Sequence, residues 1–367
     1  MRKERQMEKG ETGRRLLCYD WIRIVAIILV VLVHVSAYVV LQYPDGREFA
    51  VGNVFNGLSR AGVPLFVLLS GSLLLDENKN FDTKTFYKKS LLFMVLLTIG
   101  WLFFYGLFYF AILPALKGEA IAANAFTNYI LTFEGSDYPH LWYMFMVIGM
   151  YLIIPVLRLF VKRENKNYVK GIIIACILVQ VCTSSLDVFT RNCAVSVSDF
   201  VGKFHMESVT GYIVYLFIGW YLANYRFTRK ERITLYSLSL IAVIGSILAV
   251  QFCISDISNI RVYVYGALSL PTLFYGCAVF VLIQTLCDGR ATSRIAAICS
   301  DYSFGIYMIH IVYLELLTQW LLPYSRFGIR SALLYIVLMM VLVIGLSFLT
   351  VYAVSHIKYV RKIFYLK

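Results

Sequence analysis

The sequence predicts an all-α fold, a polytopic membrane bundle of about ten transmembrane helices with both termini cytoplasmic. Three observations predict it. Of the 367 residues, 60% are hydrophobic and only 15% charged, and 27 Tyr, 26 Phe and 5 Trp supply an aromatic load suited to lipid interfaces. Apolar runs of spanning length recur at 16–42, 54–75, 86–114, 140–160, 169–187, 209–225, 232–253, 262–287, 302–322 and 329–356. The basic residues alternate with them. With the N-terminus in the cytoplasm, only Arg47, Lys117, Arg191, Lys203, Arg261, Arg326 and Arg330 fall on the outer side, a strong positive-inside bias. The net charge of +13 therefore reports topology and not a nucleic-acid footprint.

Residues 1–15 form a basic cytoplasmic segment, 16–356 the transmembrane domain and 357–367 a basic cytoplasmic tail. The N-terminal charge is like that of a signal peptide, but the apolar stretch behind it is too long and lacks an evident small-residue cleavage site. It reads as a retained first helix.

That helix carries Asp20, Arg23 and His34 inside an otherwise apolar run, and ionisable groups at membrane depth are costly unless paired or functional. Arg23 and His34 lie close to three full turns apart, so they share one face at a separation of about 16 Å. Asp20 and Arg23, three apart, are also spaced for a plain ion pair, with His34 a packed bundle histidine. Sequence leaves both accounts open.

The second span places Arg60 just inside its outer end, before a Gly-x-Pro break and then Ser70 and Gly71. Its expected depth matches that of His34, which makes the two candidate neighbours, although snorkelling to the outer headgroups would also satisfy Arg60. The polar loop DENKNFDTKTFYKK leads into the third span with Lys88 and Lys89. These suit phosphate as point charges, and equally suit a basic inner loop. His140 and Trp142 sit at the outer mouth of the fourth span, in an aromatic belt.

The outer segment 187–208 carries Asp187, Arg191, Asp199, His205 and Glu207, an acceptor-binding candidate or an ordinary polar loop. His310 is expected in the inner half of the ninth span, as a hydrogen-bonded bundle histidine or a catalytic one. Of the eight cysteines, six lie in or beside spans without CxxC spacing, while Cys193 and Cys253 share the outer side. No metal site is expected. Walker, HExxH, EF-hand and GxGxxG patterns are missing, which argues against a nucleotide-driven pump and a zinc protease.

Taken together, the Asp-x-x-Arg-x10-His pattern of Asp20, Arg23 and His34, VPLFVLLSG at 63–71, HLWYMFMVIGMYLIIPVLR at 140–158 and SFGIYMIHIVYLELL at 303–317 resemble the integral-membrane acyltransferase family 3. These are bacterial proteins that decorate cell-surface sugars with acyl groups. The resemblance extends over nearly the whole chain. It implies a ten-helix bundle in the bacterial inner membrane that takes an acyl group, acetyl or succinyl, from cytosolic acyl-CoA and places it on a hydroxyl of a cell-envelope glycan or glycolipid. It also implies that Arg23 and His34 are the essential pair. Acyl-CoA (acetyl-CoA or succinyl-CoA) is then a donor substrate, with no permanently bound cofactor. Partners would be the bilayer, the acceptor and either a second copy or glycan-assembly proteins.

The run YKKSLLFMVLLTIGW keeps Lys88 and Lys89 but has Ser90 and Phe93 where the family often carries arginines. A second class of function therefore stays open, an inactive relative that transports or binds a glycan or small ligand.

The chemistry stands apart from the resemblance. Acyl transfer to a hydroxyl needs a base, donors for the developing oxyanion and a cationic site for the donor's phosphates. His34 supplies the base. Arg60, with His140 and Trp142 at the same mouth, is placed for the oxyanion or the acceptor, while Arg23, Lys88 and Lys89 are placed for the donor. Asp20 pairs with Arg23. His310 and Ser70 complete the candidates.

Overall fold

The computed structural model describes residues 16–43, 45–120, 124, 126–127, 129, 140–180, 211–252, 264–288, 290–321 and 331–357. The described residues are mostly helical, without a strand. The helices are α1 (Leu17–Gln42), α2 (Gly46–Leu58), α3 (Gly62–Leu74), α4 (Thr83–Lys117), α5 (Trp142–Phe160), α6 (Lys166–Gln180), α7 (Ile213–Asn224), α8 (Arg229–Phe252), α9 (Leu270–Leu286), α10 (Arg294–Leu316) and α11 (Ala332–Ser355). Taking α2 and α3 as one bent segment, seven helical segments among the described residues are long and apolar enough to cross a bilayer. The shorter α6, α7 and α9 occupy three further expected spans. The outer segment 187–208 and Cys193, Cys253 and Cys182 lie outside the described residues.

α1 is the axis of the bundle, packed against α2, α3, α10 and α11. Its residues Ile22, Ala26, Val30, Val31, Val35 and Val39 are buried. Lipid is as apolar as a valine side chain, so the hydrophobic effect does not drive helices together here; close packing and hydrogen bonds must. Both are present. The Ser36 hydroxyl donates back to the Leu32 carbonyl at 2.7 Å, and the Asn56 amide of α2 donates to Ser36 at 3.0 Å and to the Val33 carbonyl at 3.1 Å. The outward faces are apolar, as with Leu92, Leu96, Ile99 and Phe103 on α4 and Leu152, Val156 and Leu159 on α5. Surface of that kind is stable against lipid, not water.

Two elements depart from expectation. The single helix expected over 54–75 is two helices joined by a turn at residues 59–61. Pro64 has no N–H to offer the Arg60 carbonyl, and Ser59 bonds back to the Asn56 carbonyl at 2.6 Å, so the ladder is interrupted where Arg60 stands. The helix expected from 302 begins at Arg294 instead, capped by Ser293, whose hydroxyl accepts from the Ala296 N–H at 3.1 Å. The mixed run 290–301, in which Arg290, Thr292, Ser293, Arg294, Ser300 and Asp301 flank a short apolar stretch, conceals these two extra turns.

The earlier start sets depth. An isolated bridge joins Leu16 to Ala291, so α1 and α10 begin side by side, and the contacts of Arg23 with Ser300 and then of His34 with His310 show that they run parallel. His34 is the eighteenth residue of α1 and His310 the seventeenth of α10. His310 is therefore level with His34 in the far half of the bundle, and the expectation of an inner-half position is corrected.

α3 and α7 meet backbone to backbone through two glycines. A Cβ at Gly71 would lie 2.2 Å from the Leu216 carbonyl oxygen, and one at Gly219 would lie 1.9 Å from that of Leu68. Neither obstacle is a side chain that could swing away. Gly219→Ala is accordingly expected to destabilise the protein by roughly 1–3 kcal/mol or more, read as a fall in thermal unfolding temperature in detergent. Gly149→Ala is the control. A Cβ there meets nothing within 4 Å, and the midpoint should hold or rise.

Candidate functional site

The polar stripe of α1 divides into two sites. At the foot of the helix Asp20 is fully buried and Arg23 is partly exposed, their charged groups 3.6 Å apart. Thr292 donates a short hydrogen bond to the other carboxylate oxygen of Asp20, and Arg23 donates to the Ser300 hydroxyl at 3.4 Å. Asp20 thus meets its charge locally and ties the foot of α1 to α10. It stands about 21 Å along the unbroken helix from His34, so the structure does not bring these two residues together. Arg23 stays with Asp20 at this end.

Three turns up, three histidines distant in sequence converge. The His310 ring centroid lies 5.3 Å from that of His34 and 5.5 Å from that of His140. Tyrosines hold this group. Tyr307 donates a short hydrogen bond to the His140 carbonyl, Tyr105 donates to the Met308 carbonyl at 2.7 Å, and the Tyr105 ring sits edge-on to His140 at 4.8 Å. His140 is 2% exposed and His310 wholly buried. Both ring nitrogens of His140 and Nε2 of His310 lack a hydrogen-bond partner. A buried polar group left in this state costs about 1–3 kcal/mol, so each such nitrogen calls for a partner such as a bound water, an ion or a substrate group. His34 keeps part of its surface accessible, so the cluster is not sealed on that side.

Arg60 approaches from the α2–α3 turn. Its guanidinium donates to Asn56 in a short bond and to the Tyr265 carbonyl at 3.3 Å, and it lies 4.7 Å over the Tyr265 ring. Arg60 does not snorkel freely. It forms one wall of a narrow surface cleft whose other lining includes Gly57, Ser246, Tyr265, Thr272 and Tyr275.

The remaining candidates lie elsewhere. Trp142 is exposed and packs on Tyr212 at 5.8 Å, outside the histidine cluster. Its neighbour Tyr143 is the residue turned inward, 5.3 Å from Tyr307, because one residue on a helix rotates the side chain by about 100°. The Ser70 hydroxyl is spent on the Phe66 carbonyl at 2.9 Å. Lys88 and Lys89 are exposed on a π-helical turn, Tyr87–Leu91, at the end of the bundle from which α1 starts. No contact among the described residues joins them to Arg23. No group of His, Cys, Asp and Glu among the described residues is arranged to hold a metal ion.

Sequence reasoning missed Tyr105 and Tyr307. Tyr307 carried a signal, its three-residue spacing from His310; Tyr105 carried none, being one of many tyrosines in an apolar helix.

The acyltransferase family 3 model, described as an acyltransferase domain, matches residues 16–352. No curated protein and no solved structure matches the chain.

The foot of α1 yields a prediction. Thr292→Val removes a donor to a buried carboxylate and should cost about 1–3 kcal/mol of stability, measured by thermal unfolding in detergent. Ser300→Ala, which removes only the longer bond from Arg23, should cost less.

Proposed function

The chain belongs to acyltransferase family 3 and is a membrane acyltransferase, and from that premise we propose that it moves an acetyl or succinyl group from cytosolic acyl-CoA to a hydroxyl of a cell-envelope glycan or glycolipid. The reading places the protein in the bacterial inner membrane, with the foot of α1 facing the cytosol. The positive-inside distribution of Lys and Arg supports that direction.

The observation that carries the reading is His34, partly accessible, within a group of histidines whose nitrogens are largely uncommitted. As general base, His34 takes the proton of the acceptor hydroxyl while that oxygen bonds to the thioester carbonyl carbon. The resulting oxyanion is met by Arg60 or by an N–H of His140. Collapse then breaks the carbon–sulfur bond, and the proton held on His34 passes to the leaving thiolate. A positioned base contributes roughly 10²–10⁴-fold to such a step, and an oxyanion donor about 10²–10³-fold. Transfer is direct, without an acyl-histidine intermediate.

Arg23 at the foot of α1 is assigned to the donor, together with Lys88 and Lys89, which lie at the same end of the bundle and bind phosphate as point charges. The roughly 16 Å between Arg23 and His34 is a span that an extended pantetheine arm bridges. Asp20 acts here as the buried partner that orients Arg23.

The test uses full-length protein in lipid nanodiscs with labelled acetyl-CoA or succinyl-CoA and a glycan acceptor. His34→Ala is expected to lower transfer by about 10² or more while its thermal unfolding stays near that of the wild type. Undiminished transfer in that variant would remove His34 as base. The Lys88→Ala, Lys89→Ala double variant should raise KM for the donor and leave kcat nearly unchanged, since it alters binding and not the reacting centre.

A further inference from the structure

The geometry assigns a tautomer to His310. Its Nδ1 lies 2.6 Å from the Tyr307 carbonyl oxygen. A carbonyl only accepts, so Nδ1 carries the proton, and in the neutral ring Nε2 is then a bare lone pair. That lone pair belongs to a wholly buried side chain, has no partner, and sits on the ring whose centroid is 5.3 Å from His34. At this separation a modest rotation brings an N–H of one imidazole onto a nitrogen of the other. The anchor is firm. Tyr307 lies one helical turn before His310, and its own hydroxyl is tied to the His140 carbonyl.

We propose that His310 is a positioning residue for His34, its Nε2 accepting the His34 N–H so that the other His34 nitrogen stays bare and turned toward the acceptor hydroxyl. This rests on the reading of His34 as base. It adds an order of groups, Tyr307 carbonyl to His310 to His34, in which a backbone oxygen and a neutral imidazole fix the tautomer of the base; in many enzymes a carboxylate does this. The bookkeeping of the step is unchanged. The proton leaves the acceptor oxygen for the bare nitrogen of His34 and returns from there to the thiolate sulfur, while His310 keeps its Nδ1 proton and gains none. The burial of an unpartnered Nε2 is then accounted for, because its partner arrives when the site closes on substrate and catalytic hydrogen bonds tighten.

Two measurements test the proposal. In ¹⁵N-histidine-labelled protein in nanodiscs, NMR should show His310 protonated at Nδ1 with an imine-type Nε2; the opposite tautomer or a doubly protonated ring overturns the assignment, and no variant is needed. In the transfer assay, His310→Ala should lower kcat by roughly 10²-fold, with KM for acyl-CoA changed by no more than about twofold, as befits loss of a transition-state interaction. His310→Gln sets an amide oxygen near the place of Nε2 and should recover at least about tenfold of that loss. Equal rates for folded Ala and Gln variants, or a wild-type kcat for Ala, overturn the positioning role. If His34→Ala is inactive while His310→Ala is fully active, positioning alone falls. If His34→Ala remains active, the base and its positioning fall together.

Discussion

A carboxylate with no access to water must find its counter-groups inside the protein, and Asp20 finds them on its own helix and at the approach to α10. Much of the structure depends on that. Helices in lipid slide past one another with little penalty from their apolar faces, so a buried polar contact is what fixes axial register. Asp20 with Thr292, and Arg23 with Ser300, hold α1 and α10 in step at one end. Three turns away, the same register delivers His34 and His310 to one level. A slip of one helical turn, about 5.4 Å, would separate the rings entirely. The stripe on α1 thus splits into an ion pair at its foot and a histidine contact three turns above it.

The fold class was legible in the sequence because lipid imposes a length and composition on every span, and each expected span contains a helix. The errors fall where a different force took over. The start of α10 was hidden because Arg294, Ser300 and Asp301 interrupt the hydropathy of its first two turns; only the Ser293 cap marked it. The turn after α2 was readable as a Gly-x-Pro break but not as the end of one helix and the start of another.

The site was legible residue by residue and not as a group. His34, His140 and His310 each stood out as a polar residue in an apolar run, yet they come from the first, fourth and ninth spans, and nothing in local spacing says that they touch. Trp142 lies outside the histidine cluster and Tyr143 inside its ring of tyrosines, because the inward and outward faces of α5 differ by a single residue. Tyr105 was invisible because its part is played by a hydroxyl reaching a backbone carbonyl on another helix. A lone sequence does not record such a bond.

The glycine contact between α3 and α7 has a bearing on motion. Where two backbones touch, there is no layer of side chains to rearrange, and the pair behaves as a single stiff body. α8 is the opposite case. Most of its surface faces outward, its main packing partner is α9, and Asn53 of α2 reaches it through a hydrogen bond to the Ile247 carbonyl at 3.0 Å. Breathing of the bundle is cheapest where contacts are few, which puts the flexible wall beside the Arg60 cleft and leaves the α3–α7 pair as the fixed frame.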